Sequence, residues 1–469
     1  MATRTDQLHS YQFMLQRVIS ALIMRETDPA QAPLRRGVGA VFAGVMIAVL
    51  VGAGFGVYGI FTGIGSLKWK EDGSIVVEKE TGAVYVFRGH SLHPMLNYTS
   101  ARLASQGGQT YRVNAAELQK IPRSGPAGIP GAPSSLPPST AKIGAPWTLC
   151  SVSGQDATGS QTISTTLTVG RKPAGGIGLG GHGMLVKDAT DGSRYLIWHA
   201  HRYHIQDSDR LLTSLFGDQT SPVTVGTAWL NGLPAGTDIS EIDVPDRGQA
   251  SSAVSGQSVG DVLVAQTGSG PQYYVVFDDG LAPITPLQKD ILAGEFSTEP
   301  QHISTSTATD AQRSSQLQQP SDEAVRPPST VPELYHATSD QSMCTEVSES
   351  AGELQVVVGS EVSAMDEGVP TPSRSGSGTA YADRILVPPG RVAIVRSVPS
   401  GSSGTGTFNV VTDIGERFPV PSVDALSTLG YSTADAVAMP AGLVHTIPAG
   451  PTLDPGAALA PVPPDSDGG

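Results

Sequence analysis

Three short stretches of the sequence carry residue types that could bind a nucleotide, hold a metal ion or move a proton. The first, GIGLGG at residues 176–181, matches the G-x-G-x-x-G pattern of dinucleotide-binding loops. Such a loop must open a helix, whose N-terminal N–H groups bind the pyrophosphate, but the residues that follow it, GMLV, predict a strand. The dipeptide Gly-Lys, which a phosphate-binding P-loop requires, does not occur in the chain. We therefore predict a glycine-rich turn and assign no cofactor-binding residue.

Histidines are concentrated in the second stretch, WHAHRYHI. His199 and His201 lie two residues apart, so on a strand they would share one face while His204 points to the other. His182 is a fourth histidine nearby in the sequence. A metal site needs three or four converging ligands with supporting hydrogen bonds. The pattern favours surface histidines over a metal site, and we assign no metal ligand.

The third stretch is the acidic pair Asp278-Asp279, which falls between two predicted strands. This position favours a hairpin turn over an acid–base pair. The chain has no G-x-S-x-G or H-E-x-x-H motif and no convincing Ser/His/Asp pattern. We therefore assign no catalytic residue, and the sequence favours a protein without catalysis of its own.

The composition indicates the kind of elements that hold these stretches. Among 469 residues there are 55 Gly and 36 Pro, and only 15 % of residues are charged. Such a chain is expected to form short strands joined by tight turns, with linkers between them. The net charge is −14 and no basic patch is visible, which argues against a nucleic-acid partner.

One segment near the N-terminus is long and apolar enough to cross a membrane. No charged residue occurs from Gly37 to Leu67, and Val38–Phe61 is apolar throughout. As a helix this stretch rises about 36 Å, compared with about 30 Å for a hydrocarbon core. The 36-residue charged leader argues against a cleaved signal peptide, and the run is too long for an ordinary buried helix. We predict a single transmembrane helix within residues 37–66.

The positive charges predict the orientation of this helix. Two lysines, Lys68 and Lys70, follow the span, whereas five arginines precede it: Arg4, Arg17, Arg25, Arg35 and Arg36. By the positive-inside rule the N-terminus faces the cytoplasm, and about 400 residues lie outside the plasma membrane. This external part holds 24 basic and 40 acidic residues, a net charge of −16.

Residues 1–36 predict a cytoplasmic amphipathic helix. Within Asp6–Arg25, apolar side chains recur at steps of three and four residues: Leu8, Tyr11, Leu15, Val18 and Leu22. Such a stripe is typical of a helix that lies on a membrane surface and also of one that docks on a cytoplasmic partner. The sequence does not separate these two alternatives.

The two cysteines, Cys150 and Cys344, both lie in the external part. In an oxidising compartment an even pair favours one disulfide over two buried thiols. The bridge would close a loop of nearly 200 residues and could stabilise the fold by several kcal/mol.

Four segments of the external part share one order of elements: a strand, a turn with Gly, a strand and a short helix. Most then end in a helical turn stopped by Pro and Gly, as in IPRSG, LPAG and IPAG, whereas the third segment ends less clearly. We interpret them as divergent copies of one small unit. The predicted copies are repeat 1 at 67–120, repeat 2 at 191–240, repeat 3 within 241–296 and repeat 4 at 401–455.

The remaining residues predict a central β-rich part and its connections. Residues 147–190, some strands of 241–296 and residues 331–400 are assigned to the central part. Residues 121–146 are interpreted as a Pro-rich linker, 297–330 as a disordered or extended linker and 456–469 as a disordered tail. The expected fold class is α+β, mainly β.

Several motifs in order resemble the EccB family, the single-span membrane components of type VII (ESX) secretion systems in actinobacteria. They include SYQFMLQRVISAL before the span, LNYTSARL, AGIPGAP, PWTLC at Cys150, LVKDATDGSRYLIW, VVFDDGLAPITPLQKDIL and VTDIGERFPVPSVDALSTLGY. The resemblance implies a cytoplasmic helix, one span and an external domain with four repeats around a central part, with one disulfide. The histidine-rich segment WHAHRYHI departs from the family pattern.

The resemblance also implies a function and partners. The family assembles in the inner membrane with EccC, the motor ATPase, and with EccD and EccE, and the mycosin protease associates with that core. We therefore expect a structural subunit that also contacts copies of itself and supports protein export. Family members are described as ATPases, so an ATP-hydrolysing component is one alternative, although no motif here supports ATP binding. A protein that anchors the system to the cell envelope is another.

Overall fold

A computed structural model describes residues 3–24, 34–62, 67–206, 209–217, 221–348, 353–365, 367–399 and 406–462. The chain divides into two compact units, Met1–Glu71 and Asp72–Gly469. Parts of several predicted segments lie outside the described residues, among them 25–33 of the cytoplasmic segment, the end of the span at 63–66, the start of repeat 4 at 401–405 and the last part of the tail at 463–469.

The first unit consists of two long helices. Helix α1 spans Arg4–Met24 and helix α2 spans Leu34–Thr62, followed by a 3₁₀ turn at Leu67–Lys70. Within the described part of the chain, α2 is the one helix long and apolar enough to cross a membrane, through its segment Gly37–Gly59. The structure thus confirms a helix at each of the two predicted places.

The second unit begins with a small four-stranded sheet, called here the first small sheet. It contains β1 Ser74–Glu78, β2 Val84–Arg88, β3 Ser91–Pro94 and β4 Thr110–Val113, with α3 Tyr98–Ala104 before β4 and α4 Ala115–Leu118 after it. Strands β1 to β3 form an antiparallel meander, and α3 returns the chain so that β4 pairs parallel to β1. The Asn97 side chain begins α3 by accepting the Ser100 N–H. The strand order is β3-β2-β1-β4.

A long hairpin follows and starts the central sheet. Its strands are β5 Trp147–Gln155 and β6 Gln161–Val169, and β7 Ala174–Gly178 then lies at one edge of the sheet.

The second and third small sheets come next in the chain. The second contains β8 Met184–Asp188, β9 Arg194–Trp198, β10 His201–Ile205, α5 Asp209–Phe216, β11 Val223–Val225 and α6 Thr227–Gly232. The third contains β12 Val262–Thr267, β13 Gly270–Phe277, β14 Gly280–Ile284, α7 Pro286–Phe296, β15 Gln301–Ile303 and α8 Thr305–Asp310. Both repeat the arrangement of the first, an antiparallel meander whose first strand pairs parallel to a fourth strand.

The chain then completes the central sheet and forms the fourth small sheet. Strands β16 Met343–Val347, β17 Leu354–Glu361, β18 Val369–Pro370 and β19 Arg384–Leu386 give the order β18-β19-β6-β5-β16-β17-β7. The fourth small sheet contains β20 Val392–Val398, β21 Thr407–Thr412, β22 Arg417–Val420, α9 Val423–Thr428, β23 Val437–Pro440 and α10 Ala441–His445. A last helix, α11, spans Pro455–Ala458. The fold is α+β and mainly β, with several small sheets after one apolar helix.

Three hydrophobic clusters show how the small sheets are joined. The first and fourth share one cluster, which includes Ile75 and Phe418, and the second and third share another, which includes Tyr203 and Phe277. The core of the central sheet takes residues from the second and fourth, such as Trp229 and Leu443. We therefore call the second and fourth the inner sheets, and the first and third the outer sheets.

The structure differs from the predicted connections in three places. The predicted linker 297–330 contains β15 and α8, because its Ser- and Thr-rich composition includes a helix cap in which Ser304 accepts the Thr307 N–H. The predicted tail 456–469 begins inside α11, whose Ala458 is fully buried. In the predicted linker 121–146, the Ser124 N–H donates to the Leu92 carbonyl of β3 at 3.0 Å, so the first residues of this segment pair with the first small sheet.

Two predicted boundaries also shift. The second and fourth small sheets begin at Met184 and Val392, inside segments that the sequence assigned to the central part. Each first strand is a short apolar run with no feature that separates it from the strands of the central sheet.

Candidate functional site

Each small sheet ends in a short segment that follows its second helix and pairs with its third strand. We call residues 122–124, 234–236, 312–314 and 448–450 the closing segments. One backbone bond in each, of 2.8–2.9 Å, runs from the third strand to the closing segment: Leu92 to Pro122, Arg202 to Pro234, Leu281 to Gln312 and Arg417 to Pro448. A second bond, of 2.9–3.0 Å, returns to the same strand residue from Ser124, Gly236, Ser314 and Gly450. The closing segments therefore occupy equivalent places in all four sheets.

One arginine lies where each closing segment pairs with the third strand of its sheet, but it comes from one of two different sources. In the outer sheets the closing segment supplies it: Arg123 lies 5.4 Å from the ring centre of Tyr85, and Arg313 lies 5.4 Å from that of Tyr274. In the inner sheets the third strand supplies it: Arg202 lies 5.8 Å from the Tyr195 ring, and Arg417 donates to the Asn409 side chain at 3.4 Å. The sequence does not single out these arginines, because their only local signal is their place next to a strand or a closing turn.

The surroundings of these arginines differ between inner and outer sheets. Arg123 and Arg313 are exposed, whereas Arg202 and Arg417 are partly buried, and burial lowers the pKa of both inner guanidinium groups. Arg417 donates through Nε to the Ile447 carbonyl at 3.0 Å. Arg417 thus holds buried backbone and Arg202 donates to the Asn231 side chain at 3.0 Å, whereas the outer arginines present cationic groups to solvent.

A glycine is required in the inner closing segments. A Cβ atom on Gly236 would lie 2.1 Å from the ring of Tyr203, and one on Gly450 would lie 2.2 Å from the ring of Phe418. Both rings are fully buried, and burial raises the pKa of the Tyr203 hydroxyl to about 12. The Pro and Gly noted in the sequence therefore form, in the inner sheets, a closing segment whose glycine packs directly against an aromatic ring.

The histidine-rich segment is a hairpin in the structure. The prediction that His199 shares a strand face with His201 is wrong, because His199 and Ala200 form the turn between β9 and β10. Both have a positive φ, 47° and 55°, as a two-residue turn of this type requires. His204 lies 3.5 Å from Asp238, and His182 lies 3.8 Å from Glu333. Among the described residues there is no group of three or more His, Cys, Asp or Glu that could hold a metal ion.

The glycine-rich stretch lies on the edge strand β7 and the turn after it. The predicted strand after this stretch is confirmed as β8, so the glycines do not open a helix and do not fit a dinucleotide. Gly176 has a φ of +86°, and a Cβ there would lie 2.5 Å from the Ser360 hydroxyl on β17. Glycine is therefore required at position 176 by close packing at the edge of the central sheet.

The acidic pair forms the predicted turn between β13 and β14. Asp279 accepts hydrogen bonds from the Ser314 hydroxyl at 2.6 Å and the Ser315 N–H at 3.0 Å, and the Ser314 bond above all lowers its pKa. Asp278 accepts the Ser252 N–H at 2.9 Å. The pair therefore secures loops around the third sheet, including its closing segment.

The two cysteines form a disulfide, as the sequence predicts. Cys150 on β5 lies directly opposite Cys344 on the antiparallel strand β16. Both are fully buried, with Met365 packed against them. The bridge covalently joins two central strands that are 194 residues apart in the sequence.

These features define a class of protein. It has one candidate membrane helix, and its second unit is a disulfide-linked central sheet surrounded by small sheets of a common topology. Within the described part of the chain, the histidines, glycines and carboxylates of the three sequence stretches take part in turns and packing.

Comparison with known proteins identifies the family. The family model described as "Type VII secretion system ESX-1, transport TM domain B" matches residues 1–463. The chain therefore belongs to this family, the EccB proteins.

Two curated relatives and two solved structures extend this result. The chain is 29% identical to the ESX-3 secretion system ATPase EccB3 of Mycolicibacterium smegmatis, over 97% of this chain and 89% of the relative. It is also 29% identical to the ESX-2 secretion system ATPase EccB2 of Mycobacterium tuberculosis, over 83% of this chain and 81% of the relative.

A chain of an intact ESX-5 inner membrane complex aligns with a TM-score of 0.56 at 25% identity, over 100% of this chain and 98% of that one. A chain of an EccB3 dimer from the ESX-3 core complex aligns with a TM-score of 0.56 at 28% identity, over 82% of this chain and 99% of that one.

Proposed function

We propose that this protein is a structural subunit of a type VII (ESX) secretion complex, anchored in the inner membrane and supporting protein export. One observation carries the proposal: the whole chain aligns with a subunit of an intact ESX-5 inner membrane complex. In this role the protein contributes assembly and shape, and no chemistry of its own.

The first unit supplies the anchor. Helix α2 spans the inner membrane with the N-terminus in the cytoplasm, as the arginine-rich leader indicates. Helix α1 is the amphipathic element, and the apolar side chains of its predicted stripe, such as Tyr11 and Leu22, are exposed. It docks on cytoplasmic neighbours or lies on the membrane surface.

The four small sheets are four copies of one repeat. Their common strand order and the two equivalent backbone bonds of each closing segment support this interpretation. The repeats span about 72–125, 184–236, 262–315 and 392–450, and the central sheet lies between them in the sequence. They provide the periplasmic surfaces on which other subunits pack.

The partners follow from the family. We expect an EccC-like ATPase, EccD and EccE in the same complex, together with the mycosin protease. Contacts with other copies of this chain are also expected, because a relative was solved as an EccB3 dimer.

Native electrophoresis of the tagged full-length protein from mild-detergent membranes tests the proposal. We expect a very large complex whose bands contain an EccC-like ATPase by mass spectrometry. A protein that migrates alone, in cells that express the other components, would contradict the structural role.

The names of the curated relatives favour a second candidate, an ATP-hydrolysing component. The glycine-rich stretch does not fit a nucleotide, and the sequence has no Gly-Lys dipeptide. Calorimetry of ATP binding to the purified full-length protein separates the two. Saturable binding, with hydrolysis that persists in the absence of the EccC-like ATPase, would support the hydrolase.

A further inference from the structure

A cavity lies where the first and fourth small sheets meet. Its volume is about 300 Å³, at the lower end of the range for small-molecule sites. Its walls come from three parts of the chain: Tyr98, Thr99 and Arg102 of α3; residues 136–139; and Leu429 with Gly430 after α9. The cavity therefore forms only when distant parts of the chain come together.

The cavity is a local feature and not a consequence of the repeated fold. The second and third sheets are joined by the equivalent helices, α5 and α7, and there the helices pack closely. A Cβ atom on Gly294 of α7 would lie 2.2 Å from the Cβ atom of Ser214 on α5. Between the first and fourth sheets, Arg102 of α3 reaches the Thr428 carbonyl at the end of α9 and lines the cavity.

Arg102 is the one charged residue of the cavity wall. Its Nη2 donates to the Thr428 carbonyl at 3.0 Å. This bond fixes the guanidinium and leaves its other N–H groups able to donate to a ligand. Within the described residues it forms no ion pair, although the chain carries a net charge of −14. Gly430 lies against it with a φ of +95°, and a Cβ there would lie 3.4 Å from Nη2. The backbone thus makes room for a partly buried cation without a counterion.

Leu136, Leu429 and two prolines form the apolar part of the remaining wall, which also includes the hydroxyl-bearing residues Tyr98, Thr99 and Ser139. A planar guanidinium binds a carboxylate through two parallel hydrogen bonds, whereas a single cation leaves a phosphate dianion undercompensated. We propose that this cavity binds a carboxylate that carries a small apolar group, the chemistry of a polypeptide C-terminus or of a short branched acid. The ligand's carboxylate pairs with Arg102, and its apolar group lies on the leucines and prolines.

Calorimetry with the full-length protein in phosphatidylcholine nanodiscs tests this assignment, using N-acetyl-leucine, 4-methylpentanoate and N-acetyl-leucinamide as probes. We expect saturable binding of N-acetyl-leucine with a dissociation constant of about 1 mM or tighter. The amide, which lacks the charge, should bind at least about tenfold more weakly. Binding of both acids would show that any small apolar carboxylate fits, and binding of N-acetyl-leucine alone would indicate a polypeptide C-terminus.

Two variants and one control locate the binding. Arg102→Gln should weaken binding at least about tenfold, since a charged hydrogen bond is lost. Ser139→Phe, which fills the cavity and keeps the arginine, should abolish binding even if Arg102→Gln fails to fold. Arg112→Gln, at an exposed arginine on β4, should leave binding unchanged. Equal binding of acid and amide, or wild-type binding by Ser139→Phe, would overturn the proposal, as would no binding of either acid. None of these results bears on the role in a secretion complex.

Discussion

The inner and outer small sheets share one topology but differ in what their closing segments contact. In the inner sheets the segment ends in Gly236 or Gly450 against a buried ring, and the arginine comes from the third strand. In the outer sheets the equivalent residue is Ser124 or Ser314, and the arginine comes from the closing segment itself and is exposed. The two backbone bonds are therefore common to all four small sheets, whereas the side chains of the closing segment depend on whether the sheet packs against the central core.

The largest expected effect concerns the inner glycines. Gly236→Ser or Gly450→Ser should destabilise the protein by about 3 kcal/mol, because a Cβ atom would overlap a buried ring that cannot move aside. Chemical denaturation in mild detergent measures the change. The reverse substitution in the first outer sheet, Ser124→Gly, is the matched control and should cost about 1 kcal/mol or less. An equal loss for Ser124→Gly and the inner variants would contradict the distinction between inner and outer sheets.

The disulfide should matter most for the inner sheets, which share a core with the strands that it joins. Replacing Cys150 and Cys344 by Ala should lower the free energy of unfolding by about 2–4 kcal/mol. Hydrogen exchange should accelerate first in the central sheet and the inner sheets. Faster exchange confined to the outer sheets would show that the core is organised differently.

A smaller effect separates the two kinds of arginine. Arg417→Met should lower the free energy of unfolding by about 2 kcal/mol, because the backbone carbonyl oxygen of Ile447 loses a charged hydrogen-bond donor. Arg313→Met removes only an exposed contact with Tyr274 and should cost about 0.5 kcal/mol. Thermal unfolding of the two variants side by side gives the comparison, and a larger loss for Arg313→Met would reverse it.

The smallest effect is a pH dependence in the fourth sheet. Burial, and secondly the charge of Arg417, lower the pKa of His445 below its ordinary value of 6.5. The unfolded chain therefore takes up a proton before the folded one does, so stability is present above pH 6.5 and falls as the pH drops below it. His445→Gln should reduce the change in melting temperature between pH 7.5 and 5.5. His199→Gln, at an exposed turn in the other inner sheet, should leave that change as in the wild type.

The sequence predicted those parts of the fold that depend on residue type and number alone. The apolar run of α2 and the cysteine pair of the central sheet are examples, and both match the structure. The Pro and Gly at the ends of the first, second and fourth small sheets also indicated the positions of their closing segments correctly. The closing segment of the third small sheet was not predicted, because Gln312 and Ser314 make the same two backbone bonds without Pro or Gly.

Other features could not be predicted because they depend on contacts between distant residues. A strand face was expected for His199, but only the register of β9 with β10 places it in the turn. The arginine lies on the third strand in the second sheet, as Arg202, but on the closing segment in the third sheet, as Arg313. This difference follows from which of the two sheets packs against the central core. The cavity at Arg102 needs residues more than 300 positions apart, for example the Thr428 carbonyl.

The shared core of the first and fourth sheets has a consequence for biogenesis. The first sheet leaves the membrane early in synthesis, but the residues that complete its core, such as Phe418 and Leu453, are made nearly last. At about 5–20 residues per second, the ribosome needs tens of seconds to make the intervening chain. During that interval the first sheet lacks the apolar partners that the fourth sheet and α11 supply. The order of synthesis thus leaves the first sheet among the last parts of the domain to mature, and a chaperone or a neighbouring subunit has time to reach it.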